Sequence, residues 1–330
     1  MGHKVEEAKA KSQEFHTKEK GVYSEASRDI FRTLVGGGVS MDKCGSIMAA
    51  VLERAGYKVV GGSGSRRTVS RTIYEADVTT NLQLGSEIAN TSRFTLSGDG
   101  TTHKNIVYDS RLINMTVPLY AGDSTQERKQ SRSMGVVAAK DHTSKTQFDG
   151  YNEKFEECIQ MYNESPLSIR QKKSLKLAAL YAKLIGYSSD HAKDQKLLSQ
   201  MLEDFKHSLF TEELGTHAMS TMSQGDWQET MTKLEASRIK KAGSKRKWDS
   251  LPVEEKSKIE AETLQEMVVD LGEQAYLDLP EEERREAELY VWSGCGMHKD
   301  KLAMEGGEKE MKLVWSTAPP VLLANSIIIQ

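Results

Sequence analysis

A change of texture at Arg93 limits how this chain can fold more than any other feature. Residues 1–90 read as helical. Beyond Arg93, residues 94–97, 106–108, 112–118 and 134–138 are short runs rich in β-branched and aromatic side chains, read as strands. A polar loop over 122–133 separates the last two. A helix with Phe148, Tyr151, Phe155, Cys158, Ile159 and Tyr162 on one face follows, ended by Pro166. The Ala/Leu/Lys content of 175–185 favours helix, closed by the Gly186-Tyr187 turn. From Asp194 to Leu289 the chain reads as helical and strongly charged, without strand signals, and 289–292 is a last short strand. Strands followed by a packing helix predict a mixed α/β core.

Composition adds limits. With 330 residues, 28% charged and 38% hydrophobic, the chain is long enough for one large domain or two smaller ones. No apolar run approaches the roughly 20 residues needed to span a bilayer. The polar start, Met1 to Lys20, has no signal-peptide core. Cys44, Cys158 and Cys295 are odd in number and lack framework spacing, which favours a reducing compartment. A soluble intracellular protein is expected. The net charge of −3 means that any nucleic-acid contact must come from local basic patches.

Two such patches stand out. Ile30, Phe31, Leu34 and Val35 form one helical face, stopped by Gly36-Gly37-Gly38. Ser40 can cap a second helix with Ile47, Met48, Val51, Leu52 and Ala55, closing at Gly56. A Gly/Ser turn then leads to a third helix opened by Arg66, Arg67 and Arg71. This order suits helix-turn-helix contact with DNA, and equally a helical bundle with a solvated basic end. The second patch is the run Arg238, Lys240, Lys241, Lys245, Arg246 and Lys247, read as a nuclear-localisation or DNA-backbone patch, or as a solvated loop.

Three motifs can carry chemistry. Asp99 ends a strand between two glycines, where a carboxylate is presented at a sheet edge; Asp-Gly is also the commonest sort of turn. Asp190, in Ser-Asp-His-Ala, follows an apolar element and precedes a helix, as a metal-binding acid or as a helix N-cap. Acids from separate strands are what a Mg²⁺ site needs, since that ion keeps several waters. Cys295 and His298, spaced i, i+3, share a helix face. Zinc would need two further ligands, for which His191 or His142 are the nearest candidates. Dinucleotide, P-loop and nucleophile-elbow motifs are absent.

Taken in order, "TLSGDGTTHKNIVYDSRLINM", "GYSSDHAKDQKLL" and "WSGCGMHKDKLAMEGG" resemble a transposase-derived family of mushroom-forming fungi, similar to hAT and Kyakuja–Dileera–Zisupton transposases. "GSRRTVSRTIYE" and "DHTSKTQFDGYNEKFEECIQMYNESPL" carry the same resemblance. It implies an RNase H-like mixed sheet with a helical N-terminal region and a large helical insertion. The expected layout is a helical, DNA-binding part over 1–90, the first part of the core over 91–195, the insertion over 196–288 and the end of the core over 289–330. Asp99 and Asp190 would match the first two metal-binding acids, with Mg²⁺ or Mn²⁺ as cofactor. Cys295 and His298 would match a Cys-x-x-His that organises the core.

The partner implied is DNA, contacted through Arg66, Arg67, Arg71, Lys245, Arg246 and Lys247, in the nucleus and away from membranes; a homo-oligomer is compatible. The family's catalytic Glu lies well past the Cys-x-x-His. Glu305, Glu308 and Glu310 stand too close to serve, so a C-terminally truncated, catalytically impaired transposase is expected. A DNA-binding or interaction scaffold without catalysis, and a nuclease with its own third acid, are the alternatives.

Overall fold

The computed structural model describes residues 13–104, 106–119, 126–139, 141 and 143–317, the side chains at 297–299, 301, 302, 315 and 317 excepted. Residues 122–125 of the polar loop, His142, the imidazole of His298 and the tail over 318–330 therefore lie outside the described residues.

The N-terminal region is less uniformly helical than its sequence suggests. Strand β1 (Glu14–His16) pairs in parallel with β4 (Lys58–Val60), and β2 (Lys18–Glu19) pairs with β3 (Val22–Tyr23) across a turn in which Lys20 and Gly21 have φ of 49° and 83°. These strands are too short for an alternating pattern to show. Helices α1 (Glu25–Gly36), α2 (Met41–Arg54) and the start of α3 (Arg66–Asn90) close over Phe31, Cys44, Met48 and Val69. Ser24 and Ser65 cap α1 and α3, each accepting a main-chain N–H at 3.3 Å, whereas Ser40 occupies the cap position of α2 without a capping bond. The connection from α2 to α3 carries β4 instead of the roughly 3–4-residue turn of a helix-turn-helix.

The centre of the molecule is a five-stranded sheet in the order β7-β6-β5-β8-β9, with β5 Phe94–His103, β6 Ile106–Pro118, β7 Glu127–Ala139, β8 Leu184–Ser189 and β9 Val291–Gly294. The first three run antiparallel; β8 and β9 run parallel to β5. Along β6, Asp109, Arg111, Ile113, Met115 and Val117 are buried, and the residues between them are not. That period of two marks a sheet covered on one face. The cover is the C-terminal part of α3 with α4 (Ser144–Glu164), α6 (Leu177–Ala182) and the first half of α7 (Lys193–Thr221), which bring Leu84, Ile88, Phe155, Cys158, Leu180 and Leu198 onto Phe94, Leu96 and Ile113. A short α5 (Pro166–Gln171) follows α4. Burying each such side chain contributes about 1.5–3 kcal/mol. Among the described residues the opposite face stays open and polar, with Ser97, Ser110, Asn114 and Ser188 half-exposed.

Four expectations fail at particular bonds. Strand β5 does not stop at Gly98-Asp99-Gly100 but continues to His103, paired throughout with β6. Gly98 belongs in the ladder because the Tyr187 and Tyr151 hydroxyls, 2.6 and 3.0 Å from where a Cβ would sit, fill its space. Strand β7 begins at Glu127, inside the expected polar loop, as a charged edge strand. The apolar run 175–185 divides into α6 and β8 at a one-residue turn, Lys183, and Gly186, read as the stop, is a strand residue pressed against β9. The last strand starts at Val291.

Beyond the sheet, α7 continues outward and its second half crosses α10 (Val253–Leu277). Gly215 and Gly272 face the partner helix's carbonyls of Val268 and Thr211, so neither position has room for a side chain. Helices α8 (Gln224–Ala242), α9 (Lys245–Ser250) and α11 (Glu281–Ala287) complete this charged unit, with Lys241 paired to Glu266 at 2.8 Å. Lys206 ties the return, donating to Leu184 O at 2.9 Å and Leu289 O at 2.8 Å. Helix α12 (Gly296–Thr317) follows β9.

Candidate metal-binding site at the sheet edge

Parallel pairing decides where the two aspartates meet. Ser97 of β5 is paired with Ser188 of β8. Asp99 lies two residues past the first, still within β5, and Asp190 two past the second, one residue beyond the end of β8, so both follow the last paired position of neighbouring strands. Asp99 is exposed in the middle of its strand, facing away from the helix-covered side; Asp190 is half-exposed immediately after the end of β8. Its Oδ1 accepts the Ala192 N–H at 3.0 Å, while Ala192 itself, not Asp190, is the N-cap residue of α7.

The neighbouring strand contributes the Cys-x-x-His. Cys295 donates its N–H to Ser189 O at 2.7 Å, so it prolongs the β8–β9 pairing and precedes α12 rather than sharing its face with His298. His298 is in the first turn of that helix. His191 lies beside β9, its ring over Gly294 and edge-on to Trp292 at 5.3 Å. Its Nε2 is buried without a hydrogen-bond partner. The Trp292 indole donates to Ser189 Oγ at 3.2 Å, and Lys196 Nζ lies 5.3 Å from the indole ring. Asp190 and Cys295 thus follow the ends of the paired strands β8 and β9, and Asp99 lies on β5, the strand beside β8.

Other expected residues are elsewhere. Arg66, Arg67 and Arg71 are exposed at the far end of α3, a helix about 37 Å long whose other end reaches the sheet. Lys245, Arg246 and Lys247 are exposed on α9 in the helical unit. Arg238 and Lys241 of the same run are engaged by Glu260 and Glu266. Glu305, Glu308 and Glu310 are exposed on α12, Glu308 paired with Lys312 at 2.6 Å. Among the described residues no group of three or more His, Cys, Asp or Glu side chains is placed to hold a metal ion.

Sequence reasoning missed the polar cluster beneath Asp99. Asp109 and Arg111, side chains 8% and 9% exposed, lie 4.0 Å apart on the covered face of β6. Arg111 donates to Gly150 O at 2.8 Å and stacks 5.3 Å above the Tyr151 ring. Beside it, Tyr187 donates to Gln195 at 2.7 Å and Gln195 to Gln147 at 2.9 Å. Burial raises the pKa of both tyrosines far above the usual phenol range, so they act as neutral hydrogen-bonding groups. The signal was available: Asp109 and Arg111 keep step with Ile113, Met115 and Val117, so alternation points them inward.

No family model and no curated protein matches this chain. Among the described residues no helix is long and apolar enough to cross a membrane.

Proposed function

We propose that the chain is a transposase-derived protein with an RNase H-like sheet, whose Asp99 and Asp190 are paired metal-binding acids for DNA phosphodiester chemistry. The observation that supports this reading is the parallel pairing of Ser97 with Ser188, each two residues before one of the aspartates on neighbouring strands. The mixed sheet, three antiparallel strands and two parallel to the first, supports it.

The donor set fits the ion. Mg²⁺ takes few protein carboxylates and keeps several waters, and Asp99 and Asp190 are both open to solvent. A bound Mg²⁺ or Mn²⁺ supplies Lewis acidity at a phosphoryl oxygen. The chain's own part is to hold Asp99 on the β5–β6 ladder and Asp190 just past β8, where it accepts the Ala192 N–H. Arg66, Arg67 and Arg71, with Lys245, Arg246 and Lys247, are the surfaces we assign to the DNA backbone, and a nuclear location follows from that partner.

A second reading has its own observation. With no group of three metal-binding side chains among the described residues, a scaffold that binds DNA without cutting it is the alternative. Calorimetric titration with Mn²⁺ separates them. Asp99→Asn and Asp190→Asn should each weaken binding about 10-fold or more, as loss of one charged ligand removes at least ~1.4 kcal/mol. Undiminished binding in both variants would remove the metal site. Cleavage of supercoiled DNA by the wild type, lost in either variant, would decide for the enzyme over the scaffold.

A further inference from the structure

Strand β7 ends the sheet, so among the described residues the edge away from β6 pairs with no strand. Its two halves differ. Arg128 and Lys129 lie in the first, the kind of charge that blunts an edge against strand addition. From Met134 to Ala139 there is no charge, and Val136 and Val137 are 64% and 44% exposed. This unprotected half borders a cleft of about 730 Å³. Met134, Val137 and Ala139 line one side; the other carries four carboxylates, Asp77 from α3 and Asp149, Glu153 and Glu157 from α4, against two cations, Lys154 and the Arg111 guanidinium held by Gly150 O. The three on α4 are spaced i, i+4, i+8 and so share one face. Lys154 pairs with Glu157 and Lys145 with Asp149, whereas Asp77 and Glu153 have no basic partner among the described residues.

We propose that the outer edge of β7 over Met134–Ala139 takes an extended polypeptide bearing lysine or arginine as a sixth strand. Open main-chain groups supply affinity to any extended segment, and side-chain surroundings supply selection. Here the added strand would run along the acidic wall, where a basic side chain meets Asp77 and Glu153 and an acidic one is repelled. The same carboxylates exclude a nucleic-acid backbone. They also disfavour a second copy of this chain, which would bring its own acidic wall to the groove. The surface is independent of the Asp99–Asp190 edge.

The test uses the full chain and a labelled, end-blocked ten-residue peptide of alternating lysine and threonine, followed by fluorescence anisotropy. Binding should weaken about 10-fold or more in Asp77→Lys/Glu153→Lys, and a glutamate-threonine peptide should not bind. Neighbouring residues of an edge strand turn their N–H groups alternately inward and outward. Hence of Val136→Pro and Val137→Pro, the variant that keeps its circular dichroism should lose peptide binding. No anisotropy change up to millimolar peptide overturns the proposal, as does binding that both the charge reversal and the folded proline variant leave intact. A wild-type dimer by light scattering that either proline variant makes monomeric would assign the edge to a second copy and equally overturn it.

Discussion

Two ion pairs on the covered side of the sheet, each with a buried carboxylate, are built in opposite ways. Glu87, its side chain fully buried in α3, accepts two hydrogen bonds from Arg132 of β7 at 2.7 and 2.8 Å. Asp109 and Arg111, on one strand, stand 4.0 Å apart, and Arg111 is held by a carbonyl and a ring face. The first is a bidentate clamp that fastens a helix to an edge strand. The second is a guanidinium seated by its surroundings, directly under the strand that carries Asp99. A charge in the first pair depends on its partner; a charge in the second depends on the space left for it.

That contrast breaks most visibly at Glu87. Glu87→Ala strands the Arg132 guanidinium and should lower unfolding free energy by about 3–5 kcal/mol, whereas Glu87→Leu with Arg132→Leu should be far milder. Urea titration reads both, and a single-variant loss under ~1 kcal/mol would show that the clamp is not what it looks like. Gly150→Ala probes the other pair, because a Cβ there falls on the Arg111 guanidinium. Overpacking of this kind costs about 1–3 kcal/mol, more than the helix-propensity gain of alanine offsets. A thermal midpoint unchanged by Gly150→Ala would mean that Arg111 has room to move and seats nothing.

The contrast also marks what could be read in the sequence. Periodicity located the cover: Tyr151, Phe155, Cys158 and Tyr162 were expected on one helical face and are buried together. It also gave a mixed α/β core. Boundaries failed where glycine serves contact rather than turning. Gly98 and Gly186 looked like stops, but each lies in a strand because a neighbour occupies the place of its side chain, which no local pattern reveals. Candidate acids Asp99 and Asp190 were chosen by motif, yet what makes their strands neighbours is a ladder between residues far apart in the chain. The Glu87–Arg132 clamp is equally long-range and left no local trace. Asp109 and Arg111 were legible in principle, through alternation, and were passed over because charged residues are not usually looked for on a buried face.

Lys206 sharpens the comparison as a buried cation answered by main-chain carbonyls. Burial pulls its pKa down from 10.5 to about 8. In the folded protein it therefore loses its proton before the unfolded chain does. Between about pH 8 and 10.5 the unfolded state binds more protons, so this residue's contribution to stability rises with pH across that window. Below about pH 8 both states are protonated and the slope vanishes. Lys206→Met should be less stable at neutral pH, with two carbonyls left without their donor, and should lack that rise. Parallel slopes for variant and wild type over the window would show that burial does not depress this amine.

The smallest effect isolates what crowding does at Gly150. Gly306 is also a helical glycine, but nothing comes within 4 Å of the place its Cβ would take. Residues 303–314 of α12 are all exposed, so this stretch relies on backbone propensity more than on packing. Gly306→Ala should stabilise the helix by about 0.8–1.0 kcal/mol, the intrinsic difference between the two residues. Because that gain is local, amide exchange over 303–314 should slow about 4-fold, with little change in the global midpoint. If exchange there stays the same, α12 is held by contacts rather than by its own backbone. The opposite signs expected for one substitution in two helices would then trace to something other than the guanidinium at Gly150.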